Sequence, residues 1–220
     1  MFGPTVTLHP EVQTIQSKLQ AIVNLTNKVA LDYSDGCRNT CILSSYALTH
    51  VLQQLGYDEA HPVRVQATVA PLDFSGGAIL GSVERPREAA GPGMWHGHLT
   101  VAIGKQWLLD PTIDQANNPE WGSEARATPV VIRLPADFWT VSSHPYLPNV
   151  VMPVNGTWVK YKLHPRQVGF ANARDARRSH WLPLANKILS MIHGLQNESC
   201  AVASEGARRV AGGERLAKAA

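Results

Sequence analysis

The stretch GMWHGHLTVAIGKQWLLDPTIDQ, residues 93–115, holds two histidines two positions apart, an alternating apolar run and two carboxylates. The runs HLTVAIG and QWLLD predict a β-hairpin that turns around Gly104 and Lys105. Because side chains alternate along a strand, His96 and His98 are expected on one face of it. The hairpin therefore predicts an antiparallel sheet that carries imidazole side chains at the start of one strand.

The register of this hairpin decides whether a carboxylate meets a histidine. If Ile103 pairs with Trp107 across a three-residue turn, Asp110 lies diagonal to His98 on the same face, within side-chain reach. A two-residue turn would place Asp110 on the opposite face. A functional histidine–aspartate pair therefore requires the three-residue turn.

The segments before the hairpin predict two helices, a strand and a loop. Apolar residues recur at three- and four-residue steps over 10–32, which is typical of an amphipathic helix. A second helix is predicted over 41–55, apolar around most of its circumference and hence mostly buried, with Gly56 as its stop. The alternating run over 63–69 predicts a strand, and the glycine- and proline-rich residues 74–94 predict a long loop that could cover a site.

The segments after the hairpin predict two further strands and a helix. The strands are TPVVIRL, 128–134, and TWVKYKL, 157–163. Residues 170–196 are predicted to be helical, with Pro183 near a start or a kink. Helices, then strands, then a helix favour an α+β fold with an antiparallel sheet over an alternating βαβ chain.

Composition indicates one globular domain over residues 1–200 and a flexible tail over 201–220. The net charge of +3 is too small an excess to predict nucleic-acid binding. No apolar run approaches the roughly 18 residues of a membrane span, and the first residues lack a signal-peptide pattern. The low, odd number of cysteines (Cys37, Cys41 and Cys200) favours a reducing compartment, so we expect a cytoplasmic protein without membrane partners.

Cys41 opens the second predicted helix. A helix N-terminus carries a partial positive charge and unpaired N–H groups, which lower the pKa of a thiol and can hold an oxyanion. Two other interpretations stay open: Cys41 is a small buried hydrophobe, or Cys37 in the preceding turn is the reactive thiol. A cysteine on a helix with His98 and Asp110 on adjacent strands is the arrangement that thiol acyl transfer needs.

Two blocks of sequence carry a family resemblance. In the first, Cys41 opens a helix that ends in Leu-Gly at Gly56 and is followed by the strand PVRVQA. In the second, His98 starts a strand, Trp107 follows, and Asp-Pro-Thr begins at Asp110. In this order the blocks, spanning roughly residues 34–134, resemble those of the transglutaminase-like superfamily, within the wider papain-like group.

The resemblance implies a papain/transglutaminase-like fold, with the nucleophile helix packed on an antiparallel sheet. It implies that Cys41 is the nucleophile, His98 the base and Asp110 the residue that orients the base, with no cofactor and no metal. We also predict four substrate contacts around this triad. They are His96, Trp95, Trp107 and Asn39.

The predicted function is thiol-dependent acyl transfer: hydrolysis of an amide or peptide bond, or transfer of the acyl group to an amine. The substrate would be a peptide, a protein or a small amide or ester. Two alternatives remain at this stage: a metal-binding protein that uses His96 and His98, and a non-catalytic relative of the fold that binds a partner. The sequence carries no signal for an oligomeric state.

Overall fold

The computed structural model describes residues 10–36, 40–72, 77–81, 97–117, 126–140, 150–154, 156–163, 170–195 and 197. Its helices are α1 (Pro10–Tyr33), α2 (Cys41–Gln54) and α3 (178–195). Its strands are β1 (Ala60–Pro71), β2 (Ala78–Leu80), β3 (His98–Ile103), β4 (Trp107–Asp110), β5 (Val130–Arg133), β6 (Val150–Val154) and β7 (Thr157–Leu163). Short 3-10 turns occupy Ile113–Asn117, Phe170–Asn172 and Arg174–Ala176.

The described strands form one antiparallel sheet in the order β5-β4-β3-β1-β7-β6, with β2 alongside β1. β1 is central because it pairs along both edges. On one edge, Ala60 to Val65 pair with β3, and Val65 lies opposite His98. Further along that edge Ala67–Val69 pair with β2, while β7 occupies the other edge. β2 therefore continues the line of β3 and ends next to His98.

The two faces of the sheet bury different apolar clusters. The cluster facing α1 and α2 includes Leu19, Val23, Leu48, Leu52, Ala60, Val101, Trp107, Leu109 and Val131. The cluster on the other face includes Val63, Val65, Ala67, Val69, Ala102, Leu108, Ile132, Phe138, Val159 and Tyr161. Each fully buried large apolar side chain contributes roughly 1.5–3 kcal/mol relative to exposure, so the sheet is held from both sides.

α2 is buried on nearly all sides, as its sequence predicted. One side contacts the sheet through Leu48 and Leu52. The opposite side packs on α3, where Ala47 and Val51 meet Leu184 and other apolar residues. A helix that is apolar around its circumference is a core helix, and its first residue is consequently held in a fixed position.

The predicted α+β class and antiparallel sheet are confirmed. Both N-terminal helices and the strands predicted at 63–69, 128–134 and 157–163 are present within a few residues of their expected bounds.

Two predictions about secondary structure are wrong in part. The loop predicted over 74–94 contains β2, because Ala78–Leu80 is an apolar triplet beside the part of β1 that β3 leaves unpaired. Residues 170–177 form two 3-10 turns, and the α-helix begins only at 178, with Pro183 inside it.

Residues 201–220, the predicted tail, lie outside the described residues. Among the helices in the described ranges, none has the length and apolar character that crossing a membrane would require.

Candidate active site

Cys41 is the first residue of α2, and its thiol is nearly buried, with 9% of the residue exposed. Thr40 precedes it without a side-chain cap, so its hydroxyl does not occupy the first N–H groups of the helix. The Ser45 hydroxyl donates to the Leu99 carbonyl over 2.8 Å and ties α2 to β3. The Cys41 thiol donates a hydrogen bond to the carbonyl oxygen of Gly97, the residue before His98, over 3.9 Å.

The β3–β4 hairpin has the register that a histidine–aspartate pair requires. Ile103 pairs with Trp107, so the turn holds three residues. His98 Nε2 then lies 2.7 Å from Asp110 Oδ2, and both residues are 0% exposed. The structure thus brings together two of the three residues predicted to form a triad.

The carboxylate of Asp110 has two further donors. The Tyr161 hydroxyl donates to Oδ2 over 2.8 Å, and the backbone N–H of Thr112 donates to Oδ1 over 3.0 Å. The segment after Asp110 is itself fixed by α1, since the Asn27 amide donates to the Pro111 carbonyl over 2.7 Å. Asp110 is therefore a buried carboxylate with donors on both oxygens, as a buried charge requires.

Tyr161 is the member of this group that sequence reasoning missed. Alternation along TWVKYKL predicts that Thr157, Val159 and Tyr161 share a face, and all three are buried. That the Tyr161 hydroxyl bonds to Asp110 depends on the strand order, in which β7 lies two strands from β3. No local sequence pattern predicts this order.

The charges around His98 favour its protonated form. Burial by itself lowers the pKa of His98, but the charge of Asp110, the hydrogen bond to it and the nearby Cys41 thiol outweigh burial and raise the pKa to about 10. His98 is therefore an imidazolium at neutral pH. Nε2 is taken by Asp110, whereas Nδ1 is buried and has no hydrogen-bond partner within the described part of the chain. Nδ1 is the nitrogen left to exchange a proton with the thiol.

The hydroxyl of Tyr161 stays protonated over the same pH range. Its burial, followed by the charge of Asp110 and the hydrogen bond to it, raises the pKa of Tyr161 well above the ordinary 10.0. Tyr161 is consequently a donor to Asp110 at every pH at which the protein would be assayed.

The end of β2 approaches the backbone of His98 closely. Gly81 follows β2 with φ +68°, and a Cβ placed there would lie 2.3 Å from the His98 backbone nitrogen and 2.7 Å from the Val65 carbonyl oxygen. Only glycine fits this close approach and this conformation. Gly81 thereby fixes where β3 begins.

Apolar and aromatic side chains surround the thiol. Cys41 belongs to a cluster with Ile42, Leu99 and Ala173, against which Tyr46 and Phe170 pack. The ring centroids of Tyr46 and Phe170 are 6.4 Å apart. An acyl group bound to Cys41 would therefore contact apolar surface.

The predicted substrate contacts differ in where they lie. Trp107 is 6% exposed and packs in the cluster that faces α1, so it is a core residue of β4. Trp95, His96, Asn39 and the rival nucleophile Cys37 lie outside the described residues. Within the described ranges no three histidine, cysteine, aspartate or glutamate side chains form a group that could hold a metal ion.

Comparison of the chain with protein-family models, with curated protein sequences and with solved structures finds no match. The family resemblance thus rests on the motif residues themselves.

Proposed function

We propose that the protein is a thiol-dependent acyl-transfer enzyme with a catalytic triad of Cys41, His98 and Asp110. The observation that carries the proposal is the buried 2.7 Å contact of His98 Nε2 with Asp110. It leaves Nδ1 as the ring nitrogen that is not bonded to the carboxylate, while the Cys41 thiol is near enough to raise the pKa of His98. A buried imidazole with a carboxylate on one nitrogen and a thiol near the other has the geometry of an activated nucleophile.

The reaction follows from these contacts. His98, protonated at neutral pH, holds at Nδ1 the proton that the thiol has given up, and the Cys41 sulfur attacks the carbonyl carbon of an amide or ester. The tetrahedral oxyanion faces the uncapped N–H groups at the start of α2. Collapse breaks the bond to the leaving group, which takes the proton from the imidazolium, and an acyl-enzyme thioester remains.

Resolution of the thioester completes the cycle. Water, activated by His98, attacks the thioester carbonyl in a hydrolase, and an amine does so in a transferase. Hydrolysis is the favoured outcome because it needs no second substrate site. The proposed substrate is a peptide, a protein or a small amide or ester.

The same contacts support a papain/transglutaminase-like fold. A cysteine opens a buried helix that packs on an antiparallel sheet, and the histidine and aspartate lie on adjacent strands of that sheet. A cytoplasmic location remains a prediction from the cysteine content.

Acyl-enzyme formation is the direct test. Wild type, Cys41→Ala and Cys37→Ala are incubated with p-nitrophenyl acetate, and intact mass is followed with time. We expect one acetyl adduct in wild type and in Cys37→Ala, lost again by hydrolysis, and none in Cys41→Ala. Acetylation that disappears only in Cys37→Ala would overturn the assignment of the nucleophile.

A further inference from the structure

The hydroxyl of Tyr161 reaches Asp110 from a distant strand. β7 and β4 are separated by β1 and β3 in the sheet, which in a flat sheet would put their backbones roughly 14 Å apart at ~4.8 Å per strand. The hydroxyl nevertheless lies 2.8 Å from Asp110 Oδ2. The sheet therefore curls around this face, and the long tyrosine side chain spans the concavity.

Few backbone hydrogen bonds hold β3 and β4 together at the end of the hairpin that carries His98 and Asp110. The paired residues of β3 and β4 run from Ile103↔Trp107 to Val101↔Leu109 and stop one step before Asp110. Asp110 pairs on its other side with β5. The contact between Asp110 and His98 consequently depends on how the carboxylate itself is restrained.

Tyr161 and Thr112 supply that restraint, one on each carboxylate oxygen. A carboxylate bonded on both oxygens cannot rotate without breaking one of these bonds. Tyr161 acts on Oδ2, the oxygen that His98 Nε2 also contacts. Holding this oxygen still fixes the plane of the imidazole and so the direction of Nδ1.

We propose that Tyr161 is a positioning residue of the triad, whose hydroxyl locks the Asp110 oxygen that orients His98 toward Cys41. This inference rests on the proposed function, since it assigns a role within that triad. In this role Tyr161 acts through Asp110, which accepts the hydrogen bond from its hydroxyl.

The test compares Tyr161→Phe with Val159→Ala by alkylation of Cys41 with iodoacetamide, followed at the Cys41 peptide between pH 5 and 10. Tyr161→Phe removes the hydroxyl and keeps the ring. Val159→Ala weakens packing two residues away on the same buried face, where Val159 is 1% exposed, without touching Asp110.

We expect Cys41 in Tyr161→Phe to react roughly tenfold more slowly than in wild type at pH 7, because one hydrogen bond to a charged group is lost. We also expect the pH profile of alkylation in Tyr161→Phe to move to higher pH, toward the profile of His98→Ala, and Val159→Ala to keep the wild-type profile.

The outcomes separate this inference from the proposed function. A wild-type profile that depends on His98 but is unchanged in Tyr161→Phe overturns the role of Tyr161 alone. A wild-type profile like that of a free cysteine overturns both. Equal shifts in Tyr161→Phe and Val159→Ala would mean that packing, not the hydroxyl, matters, and would also overturn the role.

A measurement on the wild-type protein covers the case in which Tyr161→Phe does not fold. A buried hydroxyl that donates to a carboxylate exchanges its proton slowly with water. We expect its proton resonance in the NMR spectrum of wild type and its loss in Asp110→Ala. Its absence from the wild-type spectrum would contradict the contact on which the inference depends.

Discussion

At the scale of single residues, the site contains two charged side chains that are buried away from solvent. His98 and Asp110 are both fully buried, and burial by itself disfavours a charged imidazole. The carboxylate is tolerated because it accepts from three donors, and the imidazolium because it pairs with that carboxylate. Removing one partner leaves the other charge uncompensated, which is the costly case for buried ion pairs.

The raised pKa of His98 predicts how stability depends on pH. Cys41→Ala isolates His98. There the native state holds a proton that the unfolded histidine, with an ordinary pKa near 6.5, has released.

We therefore expect the free energy of unfolding of Cys41→Ala to be fully supported by His98 below pH 6.5. It should fall as pH rises above 6.5 and through the native pKa of His98, by up to about 1.4 kcal/mol per pH unit. Asp110 still raises that pKa in this variant, but it lies below the wild-type value of about 10 because the contribution of the Cys41 thiol is gone. Urea unfolding at pH 6, 8 and 9.5 measures this. The double variant Cys41→Ala with His98→Ala should lose the slope in that window, and a slope that persists in it would contradict the account.

At the scale of elements, the site depends on where strands begin and end. β3 begins at His98, β4 ends at Asp110, and the end of β2 abuts the start of β3. Gly81 makes this last contact possible. A side chain at this position would have to displace backbone atoms, since the nearest is the His98 nitrogen at 2.3 Å.

Gly81→Ala should consequently disturb both stability and the site. We expect it to lower the free energy of unfolding by about 2 kcal/mol or more, the combined cost of a positive φ and of backbone displacement. Gly56→Ala is the matched control: its φ is +89° and a Cβ there meets nothing within 4 Å, so about 1 kcal/mol is expected. Cys41 alkylation should slow in Gly81→Ala only, and equal behaviour of the two variants would refute the positional role of Gly81.

Sequence reasoning succeeded where the signal is local. The continuous apolar character of residues 41–55 predicted the helix that Cys41 opens. Alternation through the β3–β4 hairpin predicted that His98 meets Asp110 if the turn holds three residues, which is the turn that the structure has. It failed for β2, where Ala78–Leu80 is too short to show a period, and for β6, which was not predicted. It missed Tyr161 because the contact with Asp110 depends on strand order and curl, which residues far apart in the chain determine together.

At the scale of the whole molecule, the two faces of the sheet position different residues of the site. One face packs on α1 and α2 and fixes the first residue of α2 at the start of β3. The other face holds Asp110 and Tyr161 against a second apolar cluster. The thiol and the imidazole meet where the two regions adjoin, beside Gly97. The curl of the sheet is therefore what assembles residues from α2, β3, β4 and β7 into one site.

The central claim is that His98 activates Cys41. The measurement is the rate of Cys41 alkylation by iodoacetamide between pH 5 and 10, read at the Cys41 peptide, in wild type and in His98→Ala. We expect wild type to be alkylated at pH 7 at least about tenfold faster than His98→Ala, and the pH profile of His98→Ala to lie at higher pH than that of wild type. Coincident profiles for the two proteins, both titrating like a free cysteine, would contradict it.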